Sequence, residues 1–275
     1  MSLPSRLPQL DMRWSMLGKE GRQKLLDFAV GAAQEAGEIV MEYFQTALSP
    51  ELKPDRTFVT AADRKAEERL RALIRQAYPD HGILGEEFGE EQSSSGWTWI
   101  IDPLDGTASF LHGVPLFGVL LGLEIDGEVV LGVANFPALG ELVSAGRGMG
   151  CFWNGRRAAV SGVDDLKEAL LLYTDGASFE PHGREAAFRH LIAATRMHRS
   201  WGDCYGHILV ATGRAEVMLD PVIYIWDCAA LLPILQEAGG NFTDWEGQPT
   251  IRGGNAISTN ARLFDQVMQV VKKRN

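Results

Sequence analysis

A pair of carboxylates three residues apart, Asp102 and Asp105, constrains the fold of this chain more than any other feature of its sequence. The pair follows the apolar run Trp99–Ile101, and Pro103 stiffens the backbone between the two acids so that their side chains can converge. Converging carboxylates repel each other unless a proton or a cation lies between them. Oxygen ligands without His or Cys favour Mg²⁺ or Mn²⁺ over Zn²⁺. The pair therefore predicts a divalent-cation site, unless the acids only form an Asp-Pro turn that caps the next helix.

Three further short segments carry acids at the ends of predicted elements. Val59–Asp63 lies where a strand passes into a helix, and Gly85–Glu87 follows a short apolar stretch. Trp226-Asp227 begins a helix in the second half of the chain. The acids of interest in these segments are Asp63, Glu86 and Asp227.

The hydrophobic pattern predicts a chain with two unlike halves. Residues 1–155 carry two long amphipathic helices, Lys19–Gln45 and Ala61–Tyr78, followed by hairpin-forming strands, which is typical of an α+β half. Residues 156–275 alternate strands with helices, which indicates α/β layering. The other predicted strands are Trp97–Ile101, Phe117–Ile125, Glu128–Asn135, Ala169–Tyr173 and Ala215–Leu219, and the other predicted helices are Arg184–Thr195, Tyr205–Thr212, Trp226–Ala238 and Ala261–Lys273.

The charge balance excludes several classes of partner. The 275 residues include 26 Lys and Arg against 36 Asp and Glu, a net charge of −10 without a basic block, so we expect no nucleic-acid or membrane partner. The apolar runs are shorter than the about 20 residues that span a bilayer, and Met1–Leu17 lacks the apolar core of a secretory signal. Three widely spaced cysteines, Cys151, Cys204 and Cys228, are typical of reduced, buried thiols in a cytoplasmic protein.

Four motifs, in their order and spacing, resemble those of the inositol monophosphatase-like phosphatases: Val59–Asp63, Gly85–Glu87, Asp102–Thr107 and Trp226–Ala230. The resemblance extends from about Gln23 to the C-terminus. It implies a layered αβαβα sandwich of the inositol monophosphatase and fructose-bisphosphatase type, a homodimer, and Mg²⁺-dependent hydrolysis of a small phosphate monoester by a metal-activated water. It also implies that residues 1–155 bind metal and phosphate, and that residues 156–275 complete the metal site and the substrate pocket.

The same resemblance implies roles for single residues. Two or three Mg²⁺ ions, or Mn²⁺ ions, are implied, and Asp102 would bridge two of them. The hydroxyl of Thr107, with Glu86, would position the attacking water, and Asp63 would support this network from behind. Lys53 matches a family loop that closes over the metals, or is a solvated loop lysine. The implied metal ligands are Glu86, Asp102, Asp105, Asp227 and the backbone carbonyl of Leu104, and the implied phosphate-binding groups are the backbone N–H groups of Gly106, Thr107 and Ala108.

Two departures from the usual family pattern indicate the substrate. Ala108–Phe110 replaces the usual Thr-Asn-Phe, and Arg199–Gly206 contains Asp203 where small neutral residues are common. Both segments look like the histidinol-phosphate phosphatase branch of the family, whose substrate carries an ammonium group and a basic imidazole. Asp203 and Asp220 can pair with these cationic groups, whereas a neutral polyol would leave the acids unpaired. The candidate substrate-binding residues are Asp105, Gly106, Thr107, Ala108, Gly202, Asp203 and Asp220.

Alternatives remain at each step. Asp203 is alternatively the N-cap of a helix that begins near Tyr205, and Asp220 is alternatively part of an Asp-Pro turn. The leading hypothesis is a cytoplasmic, Mg²⁺-dependent histidinol-phosphate phosphatase of histidine biosynthesis. An inositol-1-phosphate phosphatase is the alternative within the same class. A regulatory family member that binds RNA or the transcription apparatus is the alternative from another class.

Overall fold

The computed structural model describes residues 13–47, 50–52 and 58–272, so that Lys53 lies outside the described residues. The helices are α1 (Gly18–Tyr43), α2 (Ala61–Ala77), α3 (Thr107–Leu111), α4 (Glu185–Ala194), α5 (Asp203–Ala211), α6 (Ile225–Glu237) and α7 (Phe264–Val271). The strands are β1 (Glu51–Leu52), β2 (Phe58–Val59), β3 (Gly82–Gly85), β4 (Gly89–Glu91), β5 (Trp97–Asp105), β6 (Gly118–Ile125), β7 (Glu128–Phe136), β8 (Glu141–Gly146), β9 (Gly150–Trp153), β10 (Arg156–Arg157), β11 (Leu170–Tyr173), β12 (Met197–Arg199), β13 (Val217–Asp220), β14 (Gly240–Thr243) and β15 (Ala256–Asn260).

These elements stack in five layers, in the order α, β, α, β, α, which confirms the sandwich implied by the resemblance. α1 and α2 cover one face of an eight-stranded sheet. α5 and α6 lie between that sheet and a five-stranded sheet, and α4 and α7 pack on the outer face of the five-stranded sheet. The layers bury apolar side chains against one another, and this burial is the main force that holds them together.

The five-stranded sheet brings three strand ends to the same edge. Its order is β12-β11-β13-β15-β14, and β11 runs parallel to both β12 and β13. Parallel neighbours need crossover connections, which α4 and α5 supply. Ligands of such sheets bind beyond the carboxyl ends of the parallel strands. The residues at or just after these three ends include Thr174, Asp203 and Asp220.

A β-bulge in β5 explains how Asp102 and Asp105 come to lie close together. Asp102 pairs with Leu120 of β6 and Asp105 pairs with Gly118, so that three steps on β5 oppose two steps on β6. Residues three apart on a regular strand point to opposite faces, and the extra residue of the bulge returns them to one side. Pro103 lies within the irregular stretch, where its missing N–H interrupts no regular ladder. The predicted strand, which stopped before the two acids, was therefore too short.

A pair of glycines allows α6 to lie directly on the eight-stranded sheet. Gly122 of β6 and Gly132 of β7 are cross-strand partners. A Cβ on Gly132 would lie 2.1 Å from the backbone oxygen of Ala230, and a Cβ on Gly122 would lie 2.8 Å from the Cβ of Ala229. Both alanines belong to α6, so the helix holds this position only while the two strand residues lack side chains. Because Asp227 lies in the first turn of α6, the glycine pair also sets its distance from β5.

The long predicted helices and the central strands are confirmed, with ends that differ by a few residues. The hydrophobic pattern misses β15, because this fully buried strand ends in Ser258, Thr259 and Asn260 and so lacks an apolar period. The last helix begins at Phe264, three residues later than predicted, and its predicted end at Lys273 lies outside the described residues. The division of the chain into residues 1–155 and 156–275 stays a prediction.

The structure also bears on the state of the cysteines and on whether a helix could span a membrane. The three cysteines are free and buried, as predicted. None of the helices in the described ranges is both long enough and apolar enough to cross a bilayer.

Gly132→Ala is expected to lower the free energy of unfolding by about 1–3 kcal/mol, because the new methyl group would overlap the backbone of α6. Urea unfolding followed by circular dichroism measures this change. Gly31→Ala is the matched control, since Gly31 is exposed on α1 and a Cβ there meets no atom within 4 Å. This control is expected to leave stability unchanged or to raise it by up to about 1 kcal/mol. Equal losses in both variants would contradict the close contact between α6 and the sheet.

Candidate active site

Three carboxylates from two distant elements meet between the eight-stranded sheet and α6. One oxygen each of Asp102, Asp105 and Asp227 lies within 4.8 Å of the others. Asp102 is 1% exposed, and the other two are partly buried. The bulge in β5 supplies the first two acids and the first turn of α6 supplies the third, so that the convergence predicted for Asp102 and Asp105 is present.

Backbone N–H groups hold each of these acids in place. Asp102 accepts a hydrogen bond from the N–H of Leu104 at 3.0 Å, and Asp227 accepts one from the N–H of Tyr224 at 2.9 Å. Asp105 accepts one at 2.6 Å from the N–H of Cys204, near the start of α5. Gly106 is the N-cap of α3, and no side chain caps that helix. The alternative in which the two acids only cap the next helix is therefore wrong.

Removal from water raises the pKa of every carboxyl in the cluster. Burial, followed by the charge of Glu86, raises the pKa of Asp102 well above its usual range. Burial and the charge of Asp227 raise the pKa of Asp105 to about 7, and burial raises the pKa of Asp227 to about 7. At neutral pH the cluster therefore retains protons unless a cation replaces them.

The donor atoms fit a hard divalent cation. The three converging side chains offer only oxygen, which suits Mg²⁺ or Mn²⁺. Two thiols adjoin the cluster, but burial raises the pKa of both Cys204 and Cys228 well above the usual range. Neither thiol belongs to the described group of converging ligand atoms, so this group does not offer the sulfur ligands that Zn²⁺ often takes. The acidic cluster can therefore bind a metal of the predicted class.

Glu86 lines the same cavity as Asp102, Asp105 and Asp227. A buried acid of α2, Glu67, holds the turn that carries Glu86, because its carboxylate accepts the N–H groups of Glu87 at 2.8 Å and of Phe88 at 3.2 Å. Arg71 donates to the same carboxylate at 2.8 Å. No motif of the sequence indicated Glu67 or Arg71, since the backbone N–H groups that Glu67 holds are 20 and 21 residues further along the chain.

Thr107 and Asp63 also come together, as predicted. The hydroxyl of Thr107 donates to the backbone oxygen of Leu104 at 3.0 Å and lies 3.4 Å from Oδ1 of Asp63. The other oxygen of Asp63 accepts the N–H and the hydroxyl of Thr60, which caps α2. Burial raises the pKa of Asp63 to about 6. Gly106, Thr107 and Ala108 line the cavity at the start of α3, where Gly106 adopts a left-handed backbone conformation with φ of 83°.

A second cavity adjoins the first and shares its acidic wall. Asp105, Asp203 and Asp227 line both cavities, and Thr174 and Asp220 line the second one. Burial, followed by the charge of Asp105, raises the pKa of Asp203 well above its usual range.

The backbone around Asp203 departs from the prediction. α5 begins at Asp203, two residues earlier than predicted, and its N-cap is Gly202 without a side-chain cap. The alternative in which Asp203 is the N-cap is therefore wrong. Asp220 ends β13 before Pro221, and its two carboxylate oxygens accept hydrogen bonds from Thr174 at 2.7 Å and from His207 at 2.9 Å.

No sequence motif indicates the two residues that form hydrogen bonds with the carboxylate of Asp220, which are Thr174 in the second cavity and the fully buried His207. Thr174 follows β11, and only the parallel strand order, which is not visible in the sequence, puts it beside Asp220. His207 lies four residues after Asp203 on α5, and this spacing on one helix face is the only sequence signal for it.

Residues 22–274 match the model of the inositol monophosphatase family. A histidinol-phosphatase from Chlorobaculum parvum is 45% identical over 233 residues, which cover 84% of this chain and 90% of that protein. An inositol-1-monophosphatase from Mesorhizobium japonicum is 35% identical over 263 residues, which cover 92% of this chain and 97% of that protein. The crystal structure of the extragenic suppressor protein SuhB from Bartonella henselae is similar with a TM-score of 0.86 at 32% identity, covering 92% of this chain and 100% of that chain.

The raised pKa values of Asp105 and Asp227, about 7, predict that the metal-free protein loses stability as the pH rises from about 4 to about 7. In this range the folded carboxyls retain protons that the unfolded ones have released, so raising the pH withdraws protons from the folded state. Mg²⁺ is expected to raise the melting temperature most near pH 8, because protons compete least with the cation there. Scanning fluorimetry between about pH 5 and 8, with EDTA or with Mg²⁺, measures both effects.

Two variants control this measurement. Asp102→Asn removes a charge from the cluster and is expected to abolish most of the increase in melting temperature with Mg²⁺. Asp164→Asn removes a charge from an exposed side chain and is expected to retain the full increase. The same Mg²⁺ response in both variants would show that the cation binds elsewhere.

Proposed function

Because the chain belongs to the inositol monophosphatase family, we propose that this phosphomonoesterase hydrolyses L-histidinol phosphate to L-histidinol and phosphate in histidine biosynthesis. The observation that carries the proposal is the acid Asp203, which borders both cavities beside the carboxylate cluster. The relative from Chlorobaculum parvum, which is named a histidinol-phosphatase, gives independent support.

The charge of the substrate explains why an acid suits this cavity. Histidinol phosphate carries an ammonium group and a basic imidazole, whereas inositol phosphate is neutral apart from its phosphate. A cationic group beside Asp203 would restore the interaction that its carboxylate loses on leaving water. A neutral polyol would leave that carboxylate unpaired at a cost of about 1–3 kcal/mol. Asp220 and Gly202 are proposed to complete this part of the pocket.

The proposal assigns the cation to the carboxylate cluster and its neighbours. We propose Mg²⁺, with Mn²⁺ as a substitute, in two or three sites. A divalent cation, when bound, neutralises phosphate charge and makes hydroxide available near neutral pH. The proposed ligands are Glu86, Asp102, Asp105, Asp227 and the backbone carbonyl of Leu104.

The protein's own groups are proposed to orient water and phosphate. The Thr107 hydroxyl contacts both Leu104 and Asp63, and this fixed position suits a group that, with Glu86, orients a water for in-line attack. Asp63 accepts hydrogen bonds from Thr60, so it holds Thr107 from a rigid helix end. The backbone N–H groups of Gly106, Thr107 and Ala108 are proposed to donate to the phosphate.

Two alternatives predict different behaviour. The inositol-1-monophosphatase relative from Mesorhizobium japonicum favours inositol 1-phosphate as the competing substrate. A regulatory RNA- or transcription-complex-binding protein would instead keep its cellular role in Asp102→Asn, which is expected to lose phosphatase activity. A homodimer and a cytoplasmic location remain part of the proposal, and light scattering after gel filtration measures the first.

At matched Mg²⁺, kcat/KM is expected to be higher for histidinol phosphate than for inositol 1-phosphate. Asp203→Asn is expected to raise KM for histidinol phosphate at least about tenfold, which corresponds to about 1.4 kcal/mol, because the amide cannot neutralise a cationic group. Steady-state release of inorganic phosphate measures both substrates.

The control is Asp175→Asn, since Asp175 lines the second cavity but is exposed. A change in KM of less than about threefold is expected, because water screens this charge. A similar increase in both variants would mean that KM follows the total charge of the cavity and not Asp203. A higher kcat/KM for inositol 1-phosphate in the unchanged enzyme would overturn the proposed substrate.

A further inference from the structure

A chain of hydrogen bonds runs from the interior of the five-stranded sheet to Asp203. Oγ of Ser258 lies 2.6 Å from Nδ1 of His207, and Nε2 of His207 lies 2.9 Å from Oδ2 of Asp220. The other carboxylate oxygen of Asp220 accepts the hydroxyl proton of Thr174 at 2.7 Å. Thr174 in turn accepts the backbone N–H of Asp203 at 2.8 Å. Ser258 and His207 are fully buried, so water does not replace these contacts.

Asp203 has an unusual backbone conformation at the end of this chain. Its φ is 52°, in the left-handed region that non-glycine residues seldom adopt. Such a conformation is unfavourable and persists only where surrounding contacts hold it. The hydrogen bond from its N–H to Thr174 is one such contact.

Gly202 fixes the backbone from the other side. A Cβ at this position would lie 2.3 Å from the Cα of Thr174, so the segment packs directly on the residue that follows β11. The carboxylate of Asp203 then reaches the first cavity, since its Oδ2 would lie 3.4 Å from a Cβ on Gly106. The backbone position of Asp203 therefore determines where its carboxylate lies relative to Gly106 and the carboxylate cluster.

We propose that Thr174 is a positioning residue for substrate specificity, which holds Asp203 so that its carboxylate faces a cationic substrate group. Asp220 and His207 orient the Thr174 hydroxyl: because Asp220 accepts the hydroxyl proton, the oxygen of Thr174 is left free to accept the N–H of Asp203. Asp220 thus acts on the substrate through Thr174 and Asp203. This inference rests on the proposed function, since it explains how a cationic phosphate ester is selected.

The test begins with two substitutions of the same residue. Thr174→Val keeps the shape of the side chain but removes the hydroxyl, and it is expected to raise KM for histidinol phosphate at least about tenfold with kcat changed less than about threefold. KM for inositol 1-phosphate is expected to stay within about threefold, because this substrate has no cationic group for Asp203. Thr174→Ser keeps a hydroxyl and is expected to restore most of the affinity for histidinol phosphate.

A double-mutant cycle separates positioning from a general loss of structure. If Thr174 acts through Asp203, then Thr174→Val is expected to add less than about twofold to KM in an Asp203→Asn background. Additive effects of the two substitutions would overturn the inference. The crystal structure of Thr174→Val provides a readout besides activity, in which residue 203 is expected to leave the left-handed region. An unchanged φ at residue 203 would also overturn the inference.

A last comparison distinguishes this inference from the proposed function. Thr195→Val removes a threonine hydroxyl that contacts only carbonyl groups at the end of α4, and it is expected to leave both KM values unchanged. An unchanged enzyme that prefers inositol 1-phosphate would overturn the proposed function and this inference together. An enzyme that prefers histidinol phosphate but shows additive effects of Thr174→Val and Asp203→Asn would overturn the inference alone.

Discussion

The mutual repulsion of Asp102, Asp105 and Asp227 is the constraint on which the rest of the structure depends. Three carboxylates within 4.8 Å of one another, largely removed from water, are unfavourable in the absence of protons or a cation. The fold holds them together through the bulge in β5 and through the close approach of α6 to the sheet. Apolar burial on both faces of the sheet opposes the repulsion. The fold therefore keeps the three carboxylates close together despite their repulsion, and a bound cation would reduce that repulsion.

Much of this site could be predicted from the sequence, because its acids lie in short motifs with a local physical meaning. Two acids on either side of a proline suggest that their carboxylates converge. The resemblance adds Glu86, Asp63 and Thr107, of which Glu86 and Thr107 line the cavity and Asp63 contacts Thr107. Hydrophobic periodicity, which does not depend on tertiary contacts, likewise predicted the long helices and the central strands, and the family resemblance implied the five layers. The bulge itself was not predictable, since it is defined by the register of β5 against β6. The predicted strand ended at Ile101, before the end of β5 at Asp105, because the sequence does not show that the chain continues to pair with β6 beyond the bulge.

The remaining part of the site depends on contacts between residues that are distant in the chain. Thr174 meets Asp220 only because β11 and β13 are parallel neighbours, and Ser258 meets His207 across the sheet. Single residues of these types are common on any surface, so neither composition nor spacing distinguishes them. The left-handed backbone conformation of Asp203 could not be predicted either. Glycine is the usual residue in this conformation, and an aspartate at the position gives no indication of it. The hydrogen bonds around Asp203 and Asp220 thus depend more on sheet topology than on sequence motifs.

The separation of the acids along the chain has a consequence for how a new molecule matures. Asp102 and Asp105 leave the ribosome long before α6, so an unfinished chain has two of the three acids and no pocket around them. A cation can therefore contact all three acids only after α6 has packed on the sheet. A divalent cation that binds the three acids would then stabilise completed molecules selectively and leave partly synthesised ones open to proteases. Cation binding by the acidic cluster would in this way favour molecules in which the whole sandwich has assembled.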